Sequence, residues 1–362
     1  MVAASVERRA RDAPIVRPRA SCAVRAIRVS HDGMGDHHRA ATKPPCRSCG
    51  EHTDASHRLS IVFDRTTRLV DSSNGVRVVT YDEVAVDSGA ARDATARVRQ
   101  PALLFSHATG FHGRVFAPVA AELSAYDRTT FDYRGYGDTV APAGWKLSWE
   151  GFGDDALAVA RDTVERNGGR RVVGVGHSMG GAGLVMAALR EPALFAALVV
   201  FEPIIFPPEV RSAPVRENPL ADVTRRRRRS FPSYADAIAN FSSKPPLSSL
   251  HADSLEAYVR HGFAQLEDRV EIKCDPEFEA QTYEMGAMHD TWARLGELKV
   301  PTWVMAGRHA EMSPAGIASR IAERIPGCTF VEWRDLGHFG PLDAPERFAR
   351  FVDEVANSIS AP

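Results

Sequence analysis

An apolar run, Val172-Val173-Gly174-Val175, ends in Gly176-His177-Ser178-Met179-Gly180 and passes straight into a stretch of helix formers reaching Arg190. A G-x-S-x-G segment between a strand and a helix is a nucleophile elbow: the chain turns sharply at the serine, and the flanking glycines remove side chains that would clash there. The Ser178 hydroxyl is thereby set at the start of a helix, where the Met179 backbone N–H can meet a developing negative charge. The bland reading of the same residues is a glycine-rich strand–helix turn with an incidental serine. A strand that feeds a helix in this way belongs to a parallel sheet, and that restricts the rest of the chain.

The flanking sequence keeps the same rhythm. Strand-like runs at 61–63 and 76–83 are separated by the turn signal Asn74 and Gly75. Apolar runs at 102–105, 129–132, 171–176, 197–201, 302–306 and 329–333 alternate with helical patterns at 115–124, 149–167, 179–190, 315–324 and 345–358. The hydrophilic stretch 87–100 reads as a loop. Residues 207–288 interrupt the alternation with seven prolines after Pro207 and with helical patterns at 234–241 and 255–266. The expected fold is α/β: a mostly parallel sheet with helices on both faces and a helical cap insertion. The expected domains are a core from 59–206 and 289–362, a cap from 207–288, and a tail from 1–58.

Serine is a weak nucleophile without a base. His338, in Asp335-Leu336-Gly337-His338-Phe339, follows the last strand, the place the triad order demands. Its bland reading is a solvent-facing loop histidine. The segment Phe105-Ser106-His107-Ala108-Thr109-Gly110-Phe111 follows a strand whose loop usually supplies a second oxyanion donor. The Thr109 amide is the expected donor, beside Met179.

These motifs resemble those of the α/β-hydrolase superfamily, in its group of small soluble esterases and C–C-bond or epoxide-type relatives, over residues 76 to 358. His107-Ala108-Thr109-Gly110-Phe111 stands where that family has His-Gly-x-x-x, and the stretch from Asp132 to Asp138 where it has Asp-x-Arg-Gly-x-Gly-x-Ser. Gly176 to Gly181 reads Gly-His-Ser-Met-Gly-Gly. The resemblance implies a serine esterase with a catalytic triad; serine at the elbow argues against epoxide hydrolases and dehalogenases, which carry aspartate. The acid departs from the pattern. The family's aspartate position after the seventh strand is occupied by Ala310; Glu311 is one residue on, and Glu202 ends the preceding strand, where some relatives place the acid. Glu311 is ranked first and Glu202 is the alternative, while Asp138 and Asp335 are read as structural.

A chain of 362 residues that is 44% hydrophobic can bury one large core, and 45 basic against 46 acidic residues gives no electrostatic case for nucleic acid or an anionic membrane. The longest apolar run, 193–201, is too short to span a bilayer. Five cysteines, an odd number, suggest reduced thiols and a cytoplasmic location. The tail scatters seven arginines from Arg8 to Arg28 among Ala, Val and Pro, as a disordered segment, an early-assigned start or an organelle transit sequence would. Its Cys46 and Cys49 make half of a zinc pattern. The arginine run 225–229 is read as a solvated surface, with a basic rim attracting carboxylate or acyl-CoA-like substrates as the alternative.

The reading is thus a hydrolase that cleaves an ester-like or activated carbonyl through Ser178, His338 and a carboxylate, with no cofactor and no metal. Its partner is a small-molecule substrate, and the oligomeric state is open. Acyl transfer, C–C cleavage and cofactor-free haloperoxidation share the fold, and a non-catalytic small-molecule receptor is the rival from another class. Deleting residues 1–57 is expected to leave the thermal midpoint and turnover nearly unchanged. Loss of both, with zinc restoring the full chain, would instead assign Cys46 and Cys49 to a metal site.

Overall fold

The computed structural model describes residues 26–27, 62–86, 100–211, 218–286, 288–309 and 314–360. The expected tail, apart from residues 26 and 27, lies outside the described residues, as do Cys46, Cys49, Glu311 and nearly all of the 87–100 loop.

Eight strands form the main sheet: β1 (Val62–Asp71), β2 (Arg77–Val86), β3 (Ala102–Ser106), β4 (Arg128–Phe131), β5 (Val172–His177), β6 (Phe195–Phe201), β7 (Thr302–Ala306) and β8 (Thr329–Glu332). Their order is β8-β7-β6-β5-β3-β4-β2-β1, and Ala26–Ile27 adds a short parallel pairing outside β8. Strands β3 to β8 run parallel to their neighbours, whereas β1 and β2 form an antiparallel hairpin and β2 pairs antiparallel with β4. The hairpin turns where Asn74 and Gly75 take φ of 60° and 71°. Strand β1 is longer than its apolar pattern suggests because Thr66, Thr67 and Leu69 face solvent, so alternation is weak on this edge strand. Strand β5, by contrast, is buried at every residue, which is why it reads as a continuous apolar run.

Helices cover both faces. On one, α2 (Trp149–Arg166), α3 (Met179–Arg190) and α8 (Ala315–Arg324) bury Phe152, Leu184 and Ile321. On the other, α1 (Ala117–Glu122) and α9 (Pro345–Ser360) bury Val119, Phe348 and Val352. Helix α2 starts where the Ser148 hydroxyl accepts from Gly151 N–H, satisfying a donor that has no partner within the helix.

The insertion between β6 and β7 is not purely helical. It holds α4 (Pro219–Arg225), α5 (Tyr234–Ser242), α6 (Ala252–Gly262) and α7 (Pro276–Met285), together with a three-stranded antiparallel sheet of Ser230–Phe231, Val270–Ile272 and Phe263–Gln265. The helix expected to reach residue 266 stops at Gly262, and the next three residues pair with Val270–Ile272 instead. Gly262 weakens the helix end, while Phe263 gains by packing its ring on Phe231, Phe241 and Tyr258. Tyr258 also meets Phe111 at 5.2 Å between ring centroids, which ties the cap to the core.

One buried ion pair braces the hairpin, the 132–139 loop and α2. Arg134 donates from Nε and Nη2 to Asp155 at 2.9 and 2.7 Å, both side chains are fully buried, and the Ser72 hydroxyl donates to the same carboxylate at 2.7 Å. The guanidinium also lies over the Trp145 ring at 4.9 Å. Removing one partner strands a buried charge, so Asp155→Ala is expected to cost about 3–5 kcal/mol in urea-unfolding stability. A loss below about 1 kcal/mol would show that the pair is not the brace it resembles.

Candidate active site

The elbow is held by backbone geometry. Ser178 caps the start of α3 with φ 55° and ψ −115°, outside the ordinary regions for an L-residue, and its N–H donates to Phe201 O at 2.9 Å. Its carbonyl accepts from Ala182 and Ile204 N–H. The two glycines are required by contact: a Cβ on Gly180 would lie 2.2 Å from Ser106 O, and one on Gly176 would lie 2.6 Å from Gly181 Cα. Holding a serine in this conformation costs about 1–3 kcal/mol, which the surrounding packing must offset. The Ser178 side chain makes no hydrogen bond among the described residues, leaving the hydroxyl free.

Glu202 ends the neighbouring strand in a second left-handed conformation, φ 45°, followed by Pro203. Its N–H donates to Met305 O at 2.9 Å. The carboxylate is fully buried and spans two loops, with Oε1 accepting from Gly307 N–H at 2.8 Å and Oε2 facing His338 Nδ1 at 2.6 Å. His338 lies on the loop after β8, its side chain 26% exposed, and its carbonyl accepts from His177 Nε2 at 2.8 Å. That bond links the residue before the serine to the histidine loop, with the two rings 4.9 Å apart.

Among the described residues, the carboxylate that faces the His338 imidazole is the alternative acid. Nδ1 has one hydrogen to donate, and the carboxylate it faces is Glu202, the alternative rather than the first-ranked Glu311. The spacing rule looked for an acid after β7, but parallel pairing of β6 with β7 carries the end of β6 under the histidine loop. Glu311 itself lies outside the described residues. Of the two residues read as structural, Asp138 joins Lys273 of the cap at 2.7 Å and Asp335 pairs with Arg347 at 2.6 Å.

Thr109, half-buried, lies in the turn after β3, where Phe111 N–H donates to Ala108 O at 3.1 Å. Met179, fully buried, is the first residue of α3, and first-turn amides have no intrahelical acceptor. Strand β3 pairs with β5 so that Ser106 is opposite Gly176, which brings the Thr109 turn beside the elbow. The turn is pinned by residues whose roles had no spacing signal. His107 Nε2 accepts from Tyr133 N–H at 3.0 Å, so Nδ1 carries the hydrogen that Ala108 O accepts at 2.8 Å. Buried Asp132 accepts from Gly113 N–H at 2.7 Å, Asp138 N–H at 2.8 Å and the Tyr81 hydroxyl at 2.7 Å. Burial raises the Asp132 carboxyl above the usual range.

Among known proteins, the model described as the Alpha/beta hydrolase family matches residues 103–351. A stretch of 105 residues, 29% of this chain, is 26% identical to the Abhydrolase domain-containing protein AKT2 of Alternaria alternata, and it spans only 38% of that protein's length. The peroxisomal alpha-beta-hydrolase Lpx1 of Saccharomyces cerevisiae superposes with a TM-score of 0.68 at 14% identity, over 83% of this chain and 90% of that one. E-2-(Acetamidomethylene)succinate hydrolase gives 0.63 at 19% identity, over 81% and 100% of the two chains.

The neutral His107 strap has a consequence for pH. Burial pushes its imidazole from the ordinary 6.5 down to about 4, outweighing the raising influence of Asp132. The unfolded chain takes up this proton near 6.5 and the folded chain only near 4, so the stabilisation is complete above 6.5 and is lost as pH falls towards 4. At pH 5 this residue alone should lower stability by roughly 2 kcal/mol relative to pH 7. NMR titration is expected to find His107 still neutral at pH 5 in the folded protein; a midpoint near its ordinary value would refute the strap.

Proposed function

The chain belongs to the alpha/beta hydrolase family, and from that premise we propose that it is a serine hydrolase acting on an ester-like or otherwise activated carbonyl. The observation that carries this reading is the Glu202–His338 pair, 2.6 Å apart, with His338 on a loop bonded to His177, which precedes a serine held at φ 55°. Ser178 attacks the carbonyl while His338 Nε2 takes its proton. Glu202 keeps the proton of the other nitrogen in place, which leaves Nε2 as the basic end, and stabilises the imidazolium as it forms. The Thr109 and Met179 amides receive the oxyanion. Water activated by His338 then releases the acyl group. The free Ser178 hydroxyl fits this scheme, because catalytic hydrogen bonds are often completed only when substrate arrives. Each step uses a residue of the chain, so none calls on a cofactor.

The same proposal takes the insertion 207–288 as a cap over the site, residues 1–58 as a dispensable tail, and the cytoplasm as the location. Cys274 and Cys328, buried and unbridged, support a reducing compartment. Among the described residues no helix is long and apolar enough to cross a membrane.

Ser178→Ala should fold normally and lose p-nitrophenyl ester turnover by several orders of magnitude; more than about a tenth of wild-type activity would end the mechanism. Fluorophosphonate labelling of the wild type separates enzyme from receptor, since a receptor should not react quickly. Glu202→Gln is expected to lower kcat by about 10⁴, with Glu311→Gln far milder. The opposite ranking would return the acid to the loop after β7.

A further inference from the structure

The five arginines of the run 225–229 do not share one environment. Arg225 pairs at the surface with Glu277 and Glu284, Arg226 and Arg228 donate to nearby carbonyls, and Arg229 is 53% exposed. Arg227 turns inward, its side chain 18% exposed, with Nη2 placed 2.5 Å from Oε2 of Glu279, itself 4% exposed. Yet Arg227 Nε is buried without a hydrogen-bond partner among the described residues. A purely structural buried pair normally satisfies such groups.

Tyr258, Tyr283 and Cys274 stand close enough to act electrostatically on Arg227, and neither tyrosine hydroxyl has a hydrogen-bond partner among the described residues. Donors are thus in surplus: a guanidinium and two phenols against the one carboxylate of Glu279. Burial, opposed by Arg227, holds the Glu279 carboxyl above its usual range, so it takes up a proton more readily than a surface glutamate when an anion approaches.

The cluster adjoins the catalytic loops. A Cβ on Gly110, the neighbour of Thr109, would lie 2.7 Å from Glu279 Oε1. Tyr258 packs on Phe111, Phe111 on Phe339 at 5.5 Å between centroids, and Phe339 adjoins His338.

We propose that Arg227, with the Tyr258 and Tyr283 hydroxyls, binds a carboxylate carried by the substrate away from its scissile carbonyl, so that the preferred substrates are anionic esters. This rests on the serine-hydrolase reading of Ser178 and His338. A planar guanidinium matches a carboxylate in a two-point hydrogen bond, and hydrogen bonds to charged groups in such a setting are worth a tenfold or larger effect on affinity.

Two matched ester pairs test it. p-Nitrophenyl hydrogen glutarate against p-nitrophenyl valerate places the charge on the acyl chain. The butyrate ester of 4-hydroxybenzoate against that of its methyl ester places it on the leaving group. In at least one pair the wild type is expected to favour the anion by about tenfold or more in kcat/KM, and Arg227→Gln to erase the preference through KM. Arg226→Gln, at the surface, should keep it. Should Arg227→Gln fail to fold, wild-type hydrolysis of the valerate ester is to be inhibited competitively by glutarate at least about tenfold more strongly than by glutaramide. Hydrolysis of both neutral esters with no anionic preference, or equal inhibition by acid and amide, would overturn the carboxylate site and leave the serine mechanism standing. No hydrolysis of any ester, together with no fluorophosphonate labelling, would overturn both.

Discussion

Three backbone amides at the ends of adjacent parallel strands set the geometry on which the site depends. Ser178 N–H reaches across to Phe201 O, Glu202 N–H to Met305 O, and Gly307 N–H to the Glu202 carboxylate. The first two bonds continue the ladder one residue past the regular strand, where the chain must turn away, and the third ties the next strand end to the Glu202 side chain. At the first two of these turns a non-glycine residue takes a positive φ. Parallel pairing keeps neighbouring strand ends level, so residues far apart in sequence are delivered to one edge of the sheet.

Such strain is tolerable only in a rigid setting. The elbow serine and Glu202 sit above strands buried along nearly their whole length, with helices packed on both faces. The close approach of Gly180 to Ser106 and His107 fixes α3 against the end of β3 and its loop, that of Gly176 to Gly181 fixes α3 on β5, and the His107 and Asp132 bonds hold the loop from behind. The proposed oxyanion site needs both loops so constrained, because a misplaced donor contributes little to stabilising a transition state.

The cap contributes a different kind of chemistry. The core's site residues lie on strand ends, and their positions follow from sheet register. The cap instead brings Arg227 from one short segment, Tyr258 from α6, and Glu279 and Tyr283 from α7. Ring packing from Phe231 to Phe111 and the Lys273–Asp138 pair seat these elements on the core. Under the proposed carboxylate site, variation there would alter what is recognised without disturbing the register that holds Ser178.

The amino-acid sequence by itself determined the strand–helix alternation, the elbow at Ser178 and the place of His338. These depend on local periodicity, on glycines at fixed offsets and on order along the chain, all properties of short segments. The extent of β1 escaped because an edge strand with a solvated face shows little alternation, and the small cap sheet escaped because three short strands carry almost no periodic signal. Only the tertiary structure decided that Glu202, at the end of β6, faces His338 Nδ1, and that Arg227 alone of the five arginines 225–229 turns inward. Spacing within a loop says where a carboxylate or a guanidinium lies along the chain. Which one reaches a partner distant in sequence, as Glu202 reaches His338 and Arg227 reaches Glu279, depends on strand register and packing, and these exist only once the chain has folded.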